Sequence, residues 1–95
     1  MNPFVFKINE AIAKINEEKN NIKKYEATKE KAIVKLGELV DEIKENAEAF
    51  YSDEEKMDIM GRCHYVISEC NKKIKKSNEK IKVLEYKIKK ITSRR

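Results

Sequence analysis

Three residues come closest to a reactive constellation: Cys63, His64 and Cys70. Thiolate and imidazole both ligate zinc, but zinc sites draw four ligands, commonly at CxxC or HxxxH spacing. Here the two thiols are seven residues apart. On a helix they share a face, while His64 is one step off it. Such a site would need ligands from a second chain, so no metal site and no cofactor is expected. Seven residues of helix rise about 10 Å, too far for a disulfide within the chain. The pair reads as buried, reduced thiols of a cytoplasmic protein.

A second pattern is cationic. Lys75, Lys82 and Lys89 recur every seven residues, joined by Lys72, Lys76, Lys90, Arg94 and Arg95. Ammonium groups along one helix face could track the phosphates of nucleic acid or an acidic membrane surface. A solvated helix face, with cations toward the negative end of the helix dipole, gives the same pattern. Lysine in place of arginine, with Tyr86 as the one aromatic able to stack, would make such binding indifferent to base sequence. No catalytic set stands beside these. There is one His, no GxSxG, no glycine-rich phosphate loop and no sheltered pair of carboxylates, so neither an enzyme nor a small-molecule substrate is expected.

The 95 residues leave room for one domain. With 41% charged residues, 40% hydrophobic, two Gly, one Pro and no Trp, the composition is that of long solvent-washed helices or a coiled coil. Neither a signal peptide nor a membrane span is apparent. Asn2-Pro3 is a helix start, with Asn as N-cap and Pro at the first helical position. From there, Ile8, Ile12, Ile15, Lys19, Ile22, Glu26, Lys29, Ile33, Leu36, Val40, Ile43, Ala47 and Phe50 alternate steps of four and three. This predicts one helix over 3–50, with a bend or break near 19–29 as the alternative. Gly37 costs about 1 kcal/mol of propensity without breaking it.

Phe50-Tyr51-Ser52-Asp53-Glu54-Glu55 is the strongest turn signal. Ser52 with Glu55 forms an expected capping box, and three acids suit the start of a second helix. That helix, 54–92, carries Met60, Cys63, Ile67, Cys70, Ile74, Ser77, Ile81, Leu84, Ile88 and Ile91 at heptad spacing, with a frayed basic tail at 93–95.

A short turn makes the two helices antiparallel neighbours. Folding at 51–52 would set Leu36 against Ile67, Ile22 against Ile81 and Ile15 against Ile88. Glu26 would then meet Ser77 in a polar layer. Beside this seam, near the turn, Ala32, Leu39, Ile59 and Val66, with Tyr25 next in line, form a second apolar stripe read as a protein-binding surface. Charge divides too: residues 32–71 hold 4 Lys/Arg and 10 Asp/Glu, and the rest hold 18 and 7.

In length and hairpin outline the chain resembles the small WXG-type secreted hairpins and the helical partner proteins of that secretion route. It departs from them in having no Trp, hence no Trp-x-Gly turn. The Tyr-x-x-x-Glu spacing of Tyr51 and Glu55 falls at the turn rather than in a C-terminal tail. The outline also fits small phage-encoded regulators and adaptor subunits. The expected fold is all-α: an antiparallel, coiled-coil-like two-helix hairpin, completed as a four-helix bundle by dimerisation or by another helical protein. The expected function is a non-enzymatic protein–protein interaction module, cytoplasmic and homo-oligomeric or docked on a helical partner. The alternatives are a sequence-nonspecific nucleic-acid binder using the basic end and a small secreted or secretion-partner hairpin.

Overall fold

The N-terminal cap forms as the sequence predicts. The side-chain oxygen of Asn2 accepts the Phe4 N–H at 2.9 Å, and its carbonyl accepts the Phe6 N–H at 3.2 Å. The computed structural model describes residues 2–93, all in or around three helices: α1 (Pro3–Glu45), α2 (Ala47–Tyr51) and α3 (Glu54–Ser93). Among the described residues there is no strand. α1 is continuous through 19–29 and past Gly37. The tail expected at 93–95 is helical at Ser93, and Arg94 and Arg95 lie outside the described residues.

The first long helix ends five residues earlier than the heptad count predicts. Asn46 leaves helical geometry (φ −157°, ψ 89°), and its side-chain oxygen accepts the Ala49 N–H at 3.1 Å. Asparagine competes for nearby backbone donors in this way, which makes it a better cap than helix-interior residue. The span predicted as helix 3–50 is therefore two helices, and the reversal runs through 46–53 instead of 51–53. Ser52 does not form the expected box with Glu55. It closes α2, its hydroxyl donating to the Glu48 carbonyl at 2.8 Å. Asp53 caps α3 instead, accepting the Lys56 N–H at 3.2 Å, with Glu54 and Glu55 in the first turn.

The chain packs as two units, Met1–Lys24 with Lys73–Arg95 (unit 1) and Tyr25–Lys72 (unit 2). Unit 2 is a helical hairpin closed by α2, with Phe50 2% exposed at the reversal and edge-on to the Tyr51 ring. Its register brings Lys56 to Glu42, the Nζ donating at 3.0 Å; folding at 51–52 would have put Glu42 beside Gly61. In unit 1 the helices are again antiparallel, Lys14 lining a groove with Leu84 where Lys19 had been expected opposite it. The predicted facing pairs are thus displaced by about one helical turn. Ser77 is buried in unit 1, and Glu26, expected to meet it in a polar layer, is exposed in unit 2.

α3 buries the stripe the sequence predicts: Cys63, Cys70, Ser77 and Ile81 are buried and Met60, Ile67, Ile74, Leu84, Ile88 and Ile91 half-buried. α1 does not. Ala11, Ile15, Ala32 and Leu39 are its buried residues, while Ile12, Ile33 and Val40 are exposed. The inward row steps through 11, 18, 25, 32 and 39 rather than 12, 19, 26, 33 and 40. The predicted row would have carried Lys19 and Glu26 into the seam. The observed one carries only Glu18 and the amphipathic Tyr25, and burying fewer ions costs less. Ala32 and Leu39, expected beside the seam, are therefore part of it. Leu39→Ala should lower unfolding free energy by about 3 kcal/mol and Val40→Ala by less than about 1 kcal/mol. Urea denaturation of the two variants checks this, and the predicted seam would give the reverse order.

Candidate interaction surfaces

Each helix has two shoulders beside the seam. On α1 in unit 2, Lys35 and Glu42 mark one and Ile33 and Val40 the other, because residues two apart across position 41 fall on opposite sides of the buried face. On α3 the shoulders are Ile59 with Val66, and Met57 with His64. In an antiparallel pair the Glu42 shoulder lies alongside Ile59 and Val66, and the Val40 shoulder alongside Met57 and His64.

The five residues expected to bind a protein are distributed differently. Ala32 and Leu39 are buried, and Tyr25, Ile59 and Val66 are half-buried. The exposed apolar shoulder of unit 2 is the opposite one: Ile33 at 41%, Val40 at 40% and Met57 at 40% exposure. Leu36, Ile43, Met60 and Ile67 show partial surface beside them. Sequence counting missed this surface because it placed Ile33 and Val40 inside. Gly37 and Gly61, next outward on the same side, have nothing within 4 Å of an added Cβ and no positive φ. The chain's own packing therefore gives no reason for glycine at either position.

The cationic residues also divide. Lys75, Lys82 and Lys89 are exposed on α3, as is Lys72, 3.7 Å from Glu69. Lys76 and Lys90, also exposed, line grooves in unit 1. One, of about 390 Å³, sets Lys7 and Lys14 of α1 across from Lys87 and Lys90 over Ala11 and Leu84. The next, of about 570 Å³, places Lys14, Lys76 and Lys80 among Glu17, Glu18 and Glu79. Lys14 pairs with Glu10 at 3.4 Å, and Lys90 lies 5.2 Å over the Tyr86 ring. Glu18 has one oxygen accepting from Asn21 at 3.3 Å and its other buried without a partner.

Cys63 and Cys70 are buried free thiols and His64 is exposed. Among the described residues no three of His, Cys, Asp and Glu gather as metal ligands would, and no helix is long and apolar enough to cross a membrane. By fold this is an all-α protein with a helical hairpin at its reversal. No protein-family model, curated protein or solved structure matches the chain.

The hydrogen bond from Lys56 to Glu42, then the charge of Glu42, raise the lysine above its ordinary 10.5. A raised folded value means the pair's stabilisation is fully present below the unfolded lysine pKa and fades as pH rises through the folded one. Lys56→Met should therefore melt below the parent at neutral pH. The difference should close well above pH 10.5, as read by circular dichroism melts across that range.

Proposed function

We propose that the protein is a non-enzymatic protein–protein interaction module, a small helical adaptor, regulator or assembly subunit. It docks through the apolar shoulder of unit 2 and completes a four-helix bundle with a second copy or another helical protein. The observation that carries the reading is the exposure of Ile33, Val40 and Met57 on one flank. Clustered apolar surface left open beside a two-helix seam is surface that association would bury. Two helices share one seam, and much of this one is built of small side chains, Ala11, Ala32, Cys63, Cys70 and Ser77. A partner would enlarge a small core. The glycines at 37 and 61 support the same reading, since their lack of side chains would let a neighbouring helix approach.

Ile33→Asp combined with Val40→Asp should leave helicity unchanged and abolish association, because both positions lie outside the seam. In sedimentation at micromolar concentration the parent should exceed the mass of one chain and the variant should match it. For a different partner, material co-purified from native cells with the parent should be lost with the variant. A parent that sediments as one chain and carries nothing with it would remove the reading.

A second reading rests on charge. The segments of unit 1 hold 15 Lys/Arg and 5 Asp/Glu, those of unit 2 hold 7 and 12. A polyanion would be drawn to the first. If it binds nucleic acid, affinity should fall steeply with salt whatever the sequence. Lys75, Lys82 and Lys89 changed together to Glu should abolish retention on single- or double-stranded DNA while leaving any self-association intact.

A further inference from the structure

We propose that the end of unit 1 holding the first turn of α1 is a membrane-surface anchor, which seats that turn in an anionic bilayer. It uses none of the residues of the unit 2 shoulder. Phe4, Val5 and Phe6 follow one another in this turn and are 52%, 42% and 55% exposed. Successive helical residues step about 100° around the axis, so the three fan across more than half of the circumference. The seam accounts for at most one of them. Phe4 stands seven residues before the buried Ala11, in line with the inward row, whereas Val5 and Phe6 turn away from it. A neighbouring helix would cover one stripe of such a fan. A medium that surrounds the turn covers all of it, and the headgroup–acyl boundary of a bilayer is such a medium.

Charge selects the same occupant. Phe4 lines the groove of about 390 Å³ together with Lys7 of α1 and with Lys87, Lys90 and Ile91 of α3. The one carboxylate of that groove, Glu10, pairs with Lys14 at 3.4 Å. Lys7, Lys87 and Lys90 meet no opposing charge in it. Unit 1 as a whole holds 15 Lys/Arg against 5 Asp/Glu, and clustered lysines beside an apolar helix face draw acidic headgroups. Lys7 lies one turn past Phe4, a rise of about 4.5 Å. With the rings in the boundary, its ammonium sits at the level of the lipid phosphates. Tyr86, 56% exposed with Lys90 5.2 Å over its ring, adds an aromatic with a polar tip, suited to an interface.

The backbone suits the same place. Amide N–H groups at a helix start are costly to take out of water unless they are bonded. Pro3 has no N–H. Asn2 accepts the Phe4 N–H through its side chain at 2.9 Å and the Phe6 N–H through its carbonyl at 3.2 Å. Nucleic acid would take the lysines but not the fan. A strand stacking on Phe4 would leave Phe6, about 200° round the helix, in water.

The experiment is flotation of the full chain with lipid vesicles over a range of salt, with circular dichroism confirming that each variant stays helical. The parent should float with vesicles of phosphatidylcholine mixed with phosphatidylserine and be released as salt rises. It should stay behind with phosphatidylcholine alone. Phe4→Ser combined with Phe6→Ser should weaken flotation roughly tenfold or more. Lys7→Gln, Lys87→Gln and Lys90→Gln together should weaken it roughly a hundredfold, about fivefold for each lysine. If the serine variant floats like the parent, charge alone holds the chain and seating of the turn is overturned. Equal flotation with neutral and anionic vesicles overturns the proposal as well. So does a parent that ignores anionic vesicles, including one that retains DNA through the same lysines.

Discussion

One hydrogen bond decides which residues of the long helices meet: the Ala49 N–H donated to the side chain of Asn46. Past it the heptad on α1 runs on apolar through Ala47 to Phe50, a pattern that by itself favours continued helix. With it, α1 stops at Glu45, a single turn of helix spans the reversal, and Asp53 starts α3. The level of every later layer is counted from this stop. Lys56 reaches Glu42 and Leu84 shares a groove with Lys14 because the reversal centres on α2 rather than on Ser52.

The second constraint is electrostatic. α1 offers two apolar rows side by side, 11-32-39 and 12-33-40, and either could line a seam. Both are interrupted near the middle, the first by Glu18 and Tyr25, the second by Lys19 and Glu26. A carboxylate and a tyrosine are easier to hold at a seam's edge than two opposite ions that are not paired with each other. The row with the larger β-branched side chains stays outside as a result, and α1 has apolar surface to spare.

Much of this was legible in the residues. Asn2-Pro3 marked the start of α1, the acids after Ser52 marked the start of α3, and the α3 stripe from Met60 to Ile91 was read in full. There Cys63, Cys70, Ile74, Ile81 and Ile88 each stand between two polar residues, which fixes the phase, so counting and packing agree. On α1 the row through Ile8, Ile15, Ile22, Lys29, Leu36 and Ile43 was read in place, but its companion row and the register were not legible, for a shared reason. Where two adjacent positions are both apolar, periodicity cannot choose between them, and a lone Asn inside a helical pattern looks no different from an exposed helix residue. Both choices depend on what lies opposite. The surface assigned to Tyr25, Ala32, Leu39, Ile59 and Val66 inherited the error in phase, and the lysine set was blurred because grooves need both helices to be placed.

The short reversal also sets the order in which the seam can close. Glu42 and Lys56 are 14 residues apart in the chain, whereas Lys14 and Leu84 are separated by 70. Closing the longer loop directly costs about 1.4 kcal/mol more in chain entropy than closing the shorter. Once the Glu42 layer is in place, each further layer closes only a few residues. Loop-closure entropy therefore favours zipping outward from α2, unit 2 before unit 1, and fraying from the chain ends inward.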